Sequence, residues 1–193
     1  MRYELKRLQK SLKKTFIYIT DDLDNAFALA DKMAIFQHGT MHQFDTPRNI
    51  YETPETYFVA SYIGNMNFFY ARILNSIDGH YKVELDDHIT VNITGYNTYD
   101  SDRNILYAIR PERMKLSNTP ETENQNITKG KIIQKDYQAE YTQYYVQLEY
   151  GKIIVVAELN YNLLLNNALS NFFEVGESVY IKWSVLAGDL VYA

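Results

Sequence analysis

The sequence predicts an α+β protein in which a short α/β segment precedes a mostly antiparallel β domain. Apolar residues recur at helical spacing up to Gly64. Beyond Asn65 the period falls to two, and Gly79, Gly95, Gly130, Gly151 and Gly176 punctuate the alternating runs. The chain has 193 residues, 46% hydrophobic and 22% charged, enough to bury a core and form one or two domains. The change of period sets the expected boundary, with one domain over 1–64 and another over 65–193.

Residues 2 to 14 place Leu5, Leu8 and Leu12 on one helical face. Thr15 to Thr20 form an apolar, β-branched and aromatic run without alternation, the pattern of a strand buried on both faces. Asp22 or Asp24 can cap the helix that follows, with Ala26, Leu29 and Ala30 inward. MAIFQHGTMHQFD reads as a hairpin turning near His38-Gly39. Thr46-Pro47 and Thr53-Pro54 each place a capping hydroxyl before a proline, so each predicts a helix start. The second of these helices stops at Gly64.

Past the boundary, Tyr81, Val83 and Leu85 alternate with polar residues, as do Ile89, Val91 and Ile93. Tyr144, Val146 and Leu148, then Val179, Ile181 and Trp183, repeat the pattern. Many short antiparallel strands predict a small barrel or sandwich, with 117–125 joining its halves. Residues 160–172 read equally as a short helix or a long loop.

Composition narrows the function. A net charge of −5 argues against broad binding to a phosphate backbone, which needs clustered cations. The basic cluster of Lys6, Arg7, Lys10, Lys13 and Lys14 reads as the solvated face of a helix. No cysteine is present for disulfide or thiolate chemistry, as expected of a cytoplasmic protein. No apolar run is long enough to span a membrane. The 18 tyrosines reflect an AT-rich coding sequence as readily as a binding surface.

YELKRLQKSLKKTFIYITDD and ALADKMAIFQHGTMHQFDTPRNIYETPETYFVASYIGNMNFF together resemble the ATPase subunits of ABC importers of the spermidine/putrescine type. That family runs strand, T-H-D, helix, S/A-D-R, a hairpin ending in G-T-P, I-Y-x-x-P and F-V-A-x-F-I-G. The matches are Thr20, Asp22, Ala30-Asp31-Lys32, Asp45-Thr46-Pro47, Ile50-Tyr51-Glu52, Pro54, Phe58-Val59-Ala60 and Ile63-Gly64. Ile109-Arg110-Pro111-Glu112 is similar to the V/I-R-P-E of the accessory domain. The resemblance implies that 1–64 are the C-terminal portion of a nucleotide-binding domain. It implies that 65–193 are an OB-like TOBE barrel serving regulation or dimer contacts. It also implies a cytoplasmic subunit, peripheral on the inner face of the membrane, that meets transmembrane permease subunits and a second ATPase subunit.

The family grips nucleotide with G-x-x-x-x-G-K-[ST], whose amides and lysine hold the phosphates. Gly130-Lys131 and Gly151-Lys152 lack a glycine five positions earlier, and the L-S-G-G-Q signature and the apolar strand ending in D-E are missing. No cofactor is therefore expected for this chain, whereas the intact family subunit uses ATP and magnesium. Asp21 stands where the resemblance places the switch histidine. A histidine can donate a hydrogen bond to the γ-phosphate, but an ionised aspartate only accepts. It also repels phosphate, by roughly 1 kcal/mol at 4 Å in water and about 4 kcal/mol at an effective dielectric of 20. No catalytic residue is assigned to the chain.

His38 and His42 are four apart but sit on a hairpin, so their spacing does not make a metal site, and none is expected with His80 or His88. Asp86, Asp87 and His88 read as a solvated turn. Tyr137, Tyr141 and Tyr144 with Glu140 form the candidate ligand or interface cluster, in which aromatics and acids could hold a cationic amine such as a polyamine. Aromatics on such a barrel can also stack single-stranded nucleic acid, but the basic groove that use needs is missing. Two readings stay open at this stage: a regulatory and dimerising part of a transport ATPase, or a free-standing barrel for a small cation or single strand.

Overall fold

A computed structural model describes residues 2–95, 99, 104–120, 125–160 and 172–193. The chain divides into two compact units, Met1–Gly64 and Asn65–Ala193. Most of the ambiguous 160–172 stretch and part of the 117–125 connection lie outside the described residues.

In the first unit, helix α1 (Arg2–Leu12) forms as its periodicity predicts, yet buries none of its residues. The expected strand at Thr15–Thr20 is not formed. Phe16, Ile17, Tyr18 and Ile19 are 46, 88, 54 and 93% exposed. A strand suited to burial on both faces needs hydrogen-bonded neighbours, and the sheet of this unit is a two-stranded hairpin that does not include it. Helix α2 (Leu23–Leu29) is capped by Asp22, which accepts from the Asn25 backbone N–H at 2.9 Å.

Strands β1 (Met33–Gln37) and β2 (Thr40–Asp45) turn through His38 and Gly39, with φ of +48° and +80°. Two left-handed residues in a two-residue loop match the twist of the flanking strands. Helix α3 (Pro47–Glu52) starts behind its Thr46 cap. The second proline start is displaced: α4 (Tyr57–Tyr62) is capped by Thr56, and Thr53 instead closes α3. The cause is Gln43, 4% exposed. Its amide donates to the Thr53 carbonyl at 3.2 Å and accepts from the Glu55 N–H at 3.2 Å, which holds the link out of the helix. Met33, Ile35, Ile50, Val59 and Ile63 form the core of this unit.

The second unit holds two five-stranded antiparallel sheets. One contains β3 (Asn67–Ile77), β4 (His80–Leu85), β5 (Ile89–Thr94), β6 (Ile105–Ile109) and β12 (Gly188–Tyr192), in the order β12-β6-β3-β4-β5. The other contains β7 (Lys115–Ser117), β8 (Gln125–Tyr137), β9 (Tyr141–Leu148), β10 (Ile153–Leu159) and β11 (Ser178–Ser184), in the order β10-β9-β8-β11-β7. The inward alternation is the one read from sequence: Tyr81, Val83, Leu85, Val91, Tyr144, Val146, Ile181 and Trp183 share one core. No ladder closes either sheet into a barrel among the described residues. In place of ladder bonds, Glu158 of β10 accepts from the Leu116 N–H of β7 at 2.9 Å, across the open seam of the second sheet.

Gly130 corrects its reading as punctuation, because it lies inside β8. A Cβ there would come within 2.6 Å of Val146 and 2.8 Å of the Gln147 carbonyl, so the β8–β9 contact needs a glycine.

Candidate functional site

The sequence singles out the segment around Asp21 first. Thr20 Oγ1 accepts from the Asp22 N–H at 2.9 Å, and both Asp22 carboxylate oxygens bind Asn25, at its N–H and at Nδ2 (2.5 Å). Arg2 Nε donates to the Asn25 side-chain oxygen and ties α1 to α2. Asp22 is therefore committed to the helix cap. Asp21 is exposed, and its carboxylate has no hydrogen bond or ion pair among the described residues. The site thus presents a free carboxylate beside an exposed apolar segment and offers no donor from residue 21.

The tyrosine cluster is not gathered into one site. Along β9 the burial alternates, so Tyr144 faces the core with Thr142, Val146 and Leu148, and Tyr141 faces the other way. Tyr144 is fully buried and packs edge-on against Phe173, with ring centroids 6.2 Å apart. Desolvation, and then the nearby Glu158 charge, push its hydroxyl up to about 12. Tyr137 is exposed at the end of β8, beside Phe172. The ammonium of Lys135 already stands 5.4 Å from the Phe172 ring centroid and pairs with Glu174 at 2.7 Å. Glu140 lies in the β8–β9 turn, where its carbonyl accepts from the Asn160 N–H.

The turn at Asp86–His88, read as solvated, is instead a fastening point. Asp86 Oδ1 accepts from the Tyr70 N–H at 2.8 Å, and Oδ2 accepts from Tyr150 Oη at 3.0 Å and Lys152 Nζ at 2.6 Å. Lys152 also lies over the Phe69 ring at 4.3 Å, and His88 stacks on Tyr150 with centroids 4.4 Å apart. Burial, then the Asp86 bond and charge, raise the Tyr150 hydroxyl. A cleft of about 290 Å³ lies beside this cluster, lined by His88, Ile89, Thr128, Lys129, Glu149 and Tyr150.

Sequence reasoning missed this cluster because three of its members come from separate turns and strands. The histidines are dispersed: His42 packs tilted against Phe58, with ring centroids 4.7 Å apart, and His80 meets Thr94 Oγ1 at 3.1 Å. Among the described residues no three metal-ligating side chains converge, and no helix is long and apolar enough to cross a membrane.

Residues 107–187 match the family model of the TOBE domain. The chain is 34% identical over 185 residues to the spermidine/putrescine import ATP-binding protein PotA of Mycoplasmopsis synoviae, with 96% of this chain and 37% of that protein covered. The protein of the same name from Nitrosospira multiformis is 34% identical over 193 residues, covering 97% of this chain and 51% of that protein. The chain belongs with the importer ATP-binding subunits, as their C-terminal part. The homologue of Pseudomonas aeruginosa UCBPP-PA14 is 31% identical, with 100% of this chain and 52% of that protein covered. The chain thus spans about half the length, or less, of the relatives it matches.

Its fold is also similar to the crystal structure of the cytoplasmic molybdate-binding protein ModG. The TM-score is 0.51 at 10% identity, over 66% of this chain and 96% of that chain. At that identity the likeness concerns the fold, which agrees with the TOBE assignment of the second unit.

Proposed function

We propose that the chain is the regulatory and dimerising C-terminal part of the ATP-binding subunit of an ABC importer for the polyamines spermidine and putrescine. The observation that carries this reading is the near-complete match of the chain to subunits of that name, across both units. In this reading ATP and magnesium belong to the intact subunit and are gripped by its phosphate-loop half. The first unit supplies the switch segment, and the second supplies regulation. The subunit meets transmembrane permease subunits and so works at the inner face of the cell membrane.

Asp21 adds a feature of its own. Its free carboxylate at the switch position makes the subunit a poor hydrolase, because it repels the γ-phosphate and has no proton to donate to it. A free-standing barrel for single strands has less support, since the sequence match extends through the first unit as well as the second. A polyamine regulator would have to use Tyr137, Tyr141 and Glu140 without Tyr144, whose side chain belongs to the core. The test of the reading is affinity purification of the tagged chain co-expressed with the permease subunits of its importer. Co-purification in detergent is expected, and a folded chain recovered without them would count against it.

A further inference from the structure

The two sheets of the second unit repeat one pattern of strands. The order β12-β6-β3-β4-β5 of the first is matched, strand for strand, by β7-β11-β8-β9-β10 of the second. Ala71 opposes Leu85 as Gly130 opposes Leu148, and the bulge between Ile73 and Asn75 recurs between Ile132 and Gln134. The turns agree as well. The His88 N–H bonds to the Leu85 carbonyl at 2.9 Å, and the Gly151 N–H bonds to the Leu148 carbonyl at 2.9 Å. Asp86 therefore corresponds to Glu149, Ile89 to Lys152, Phe69 to Thr128 and Tyr70 to Lys129.

One of these two equivalent places is filled from within the chain. The Lys152 ammonium lies 4.3 Å from the Phe69 ring centroid and donates to Asp86 Oδ2 at 2.6 Å, while Asp86 Oδ1 accepts from the Tyr70 N–H. The other place is the cleft of about 290 Å³. There Ile89 stands in the position of Lys152, with a shorter side chain and no donor. The Glu149 carboxylate, in the position of Asp86, has no ion pair or hydrogen bond among the described residues. Thr128 replaces the Phe69 ring with a small hydroxyl. Lys129, in the position of Tyr70, brings an ammonium that also has no partner among the described residues. The walls are held firmly: Ile89 is buried, and Tyr150 stacks on His88 and is fixed by its bond to Asp86.

We propose that this cleft binds a small amino acid, whose ammonium takes beside Glu149 the place that Lys152 takes beside Asp86, and whose carboxylate meets Lys129. Both contacts are charge-assisted hydrogen bonds, the stronger kind. The cleft is at the lower end of ligand pockets, which run from about 300 Å³. The two free charges select the class of ligand. A simple amine leaves Lys129 unmet, a simple acid leaves Glu149 unmet, and a polycation is set against Lys129. The site goes beyond the importer reading and does not rest on it, because every group it uses lies in the second unit.

Isothermal calorimetry of the full chain with γ-aminobutyrate, butylamine and butyrate tests this. Saturable binding of γ-aminobutyrate at millimolar concentration or below is expected. Butylamine and butyrate, each lacking one charge, should bind about tenfold more weakly or worse. Glu149→Gln and Lys129→Gln should each weaken γ-aminobutyrate by a similar factor. Both residues are exposed, so the circular dichroism spectrum should stay unchanged. Ile89→Lys should abolish binding by supplying the ammonium from within, as Lys152 does in the matching place. Because Ile89 is buried, the two exposed variants decide the matter if that chain does not fold. No binding of γ-aminobutyrate at millimolar concentration would overturn the proposal. So would equal binding of butylamine or butyrate, or binding indifferent to Glu149→Gln or Lys129→Gln.

Discussion

Asn126 holds the backbone of Asn92 with both ends of its side-chain amide. Its Oδ1 accepts from the Asn92 N–H at 2.8 Å, and its Nδ2 donates to the Asn92 carbonyl at 2.8 Å. Asn126 belongs to β8 of one sheet and Asn92 to β5, the edge strand of the other. The relation is repeated in reverse, because Asn67 of β3 makes the same two bonds to Val155 of the edge strand β10, at 2.8 and 2.7 Å. Each sheet thus lends one asparagine to satisfy the other's exposed edge, a way of protecting edge strands that needs no further strand.

Asn126→Ala should therefore strand two backbone groups at a site only 5% exposed. The expected cost is about 2–3 kcal/mol in urea unfolding, from the desolvation of unpaired polar groups. Hydrogen exchange should show faster exchange at the Asn92 amide, with less change at Val155.

Asp86 and Lys152 give a second test. Asp86→Ala removes the acceptor of three donors and leaves the Lys152 ammonium half-buried without its carboxylate. A loss of about 3 kcal/mol is expected, the lower part of the range for breaking a buried pair. Lys152→Ala should cost less, because Asp86 keeps the Tyr70 and Tyr150 bonds. Equal losses for the two variants would contradict the role of Asp86 as the shared acceptor.

The contrast between elements shows how far the sequence could be read. Helices, hairpin and inward strand faces followed from local periodicity, and Thr46 and Asp22 cap where their chemistry predicts. The displaced start of α4 could not be seen locally, since it depends on Gln43 reaching across from β2. The Asp86 cluster was illegible for the same reason: its donors Tyr150 and Lys152 lie far along the chain. A signal for the asparagine clamps was present, however. Asn67 and Asn126 are polar residues on the inward parity of β3 and β8, and an inward polar side chain needs a partner. At Thr15–Thr20 local pattern described a strand whose sheet neighbours the described residues do not contain.

Glu158 bears on pH. Desolvation raises its carboxyl above the ordinary value of 4.5, against the opposing effects of the Leu116 bond and the Lys115 charge. A raised folded value means that its favourable contribution is complete below 4.5 and is lost as pH rises through the raised value. Glu158→Gln cannot ionise but keeps an acceptor for Leu116, so it should gain stability over wild type at neutral pH and lose that gain at acid pH. Glu158→Ala leaves the Leu116 N–H unpaired and should cost about 1–3 kcal/mol at both. Urea midpoints at the two pH values distinguish the variants.

Asp21→His, made in the complete subunit, should raise ATP turnover with little change in stability, since residue 21 is exposed and makes no bond here. One preorganised hydrogen-bond donor aimed at developing charge typically contributes about 10²–10³-fold to rate. Unchanged turnover would show that position 21 does not face the phosphates.

The central claim is that this chain is the C-terminal part of an importer ATP-binding subunit. Its most direct test replaces the corresponding part of the Nitrosospira multiformis relative with this chain, carrying Asp21→His, and measures spermidine uptake with that relative's permease subunits. The account predicts a chimera that assembles with the permease and supports ATP-dependent uptake. A chimera that folds and binds ATP yet neither assembles nor transports would contradict it.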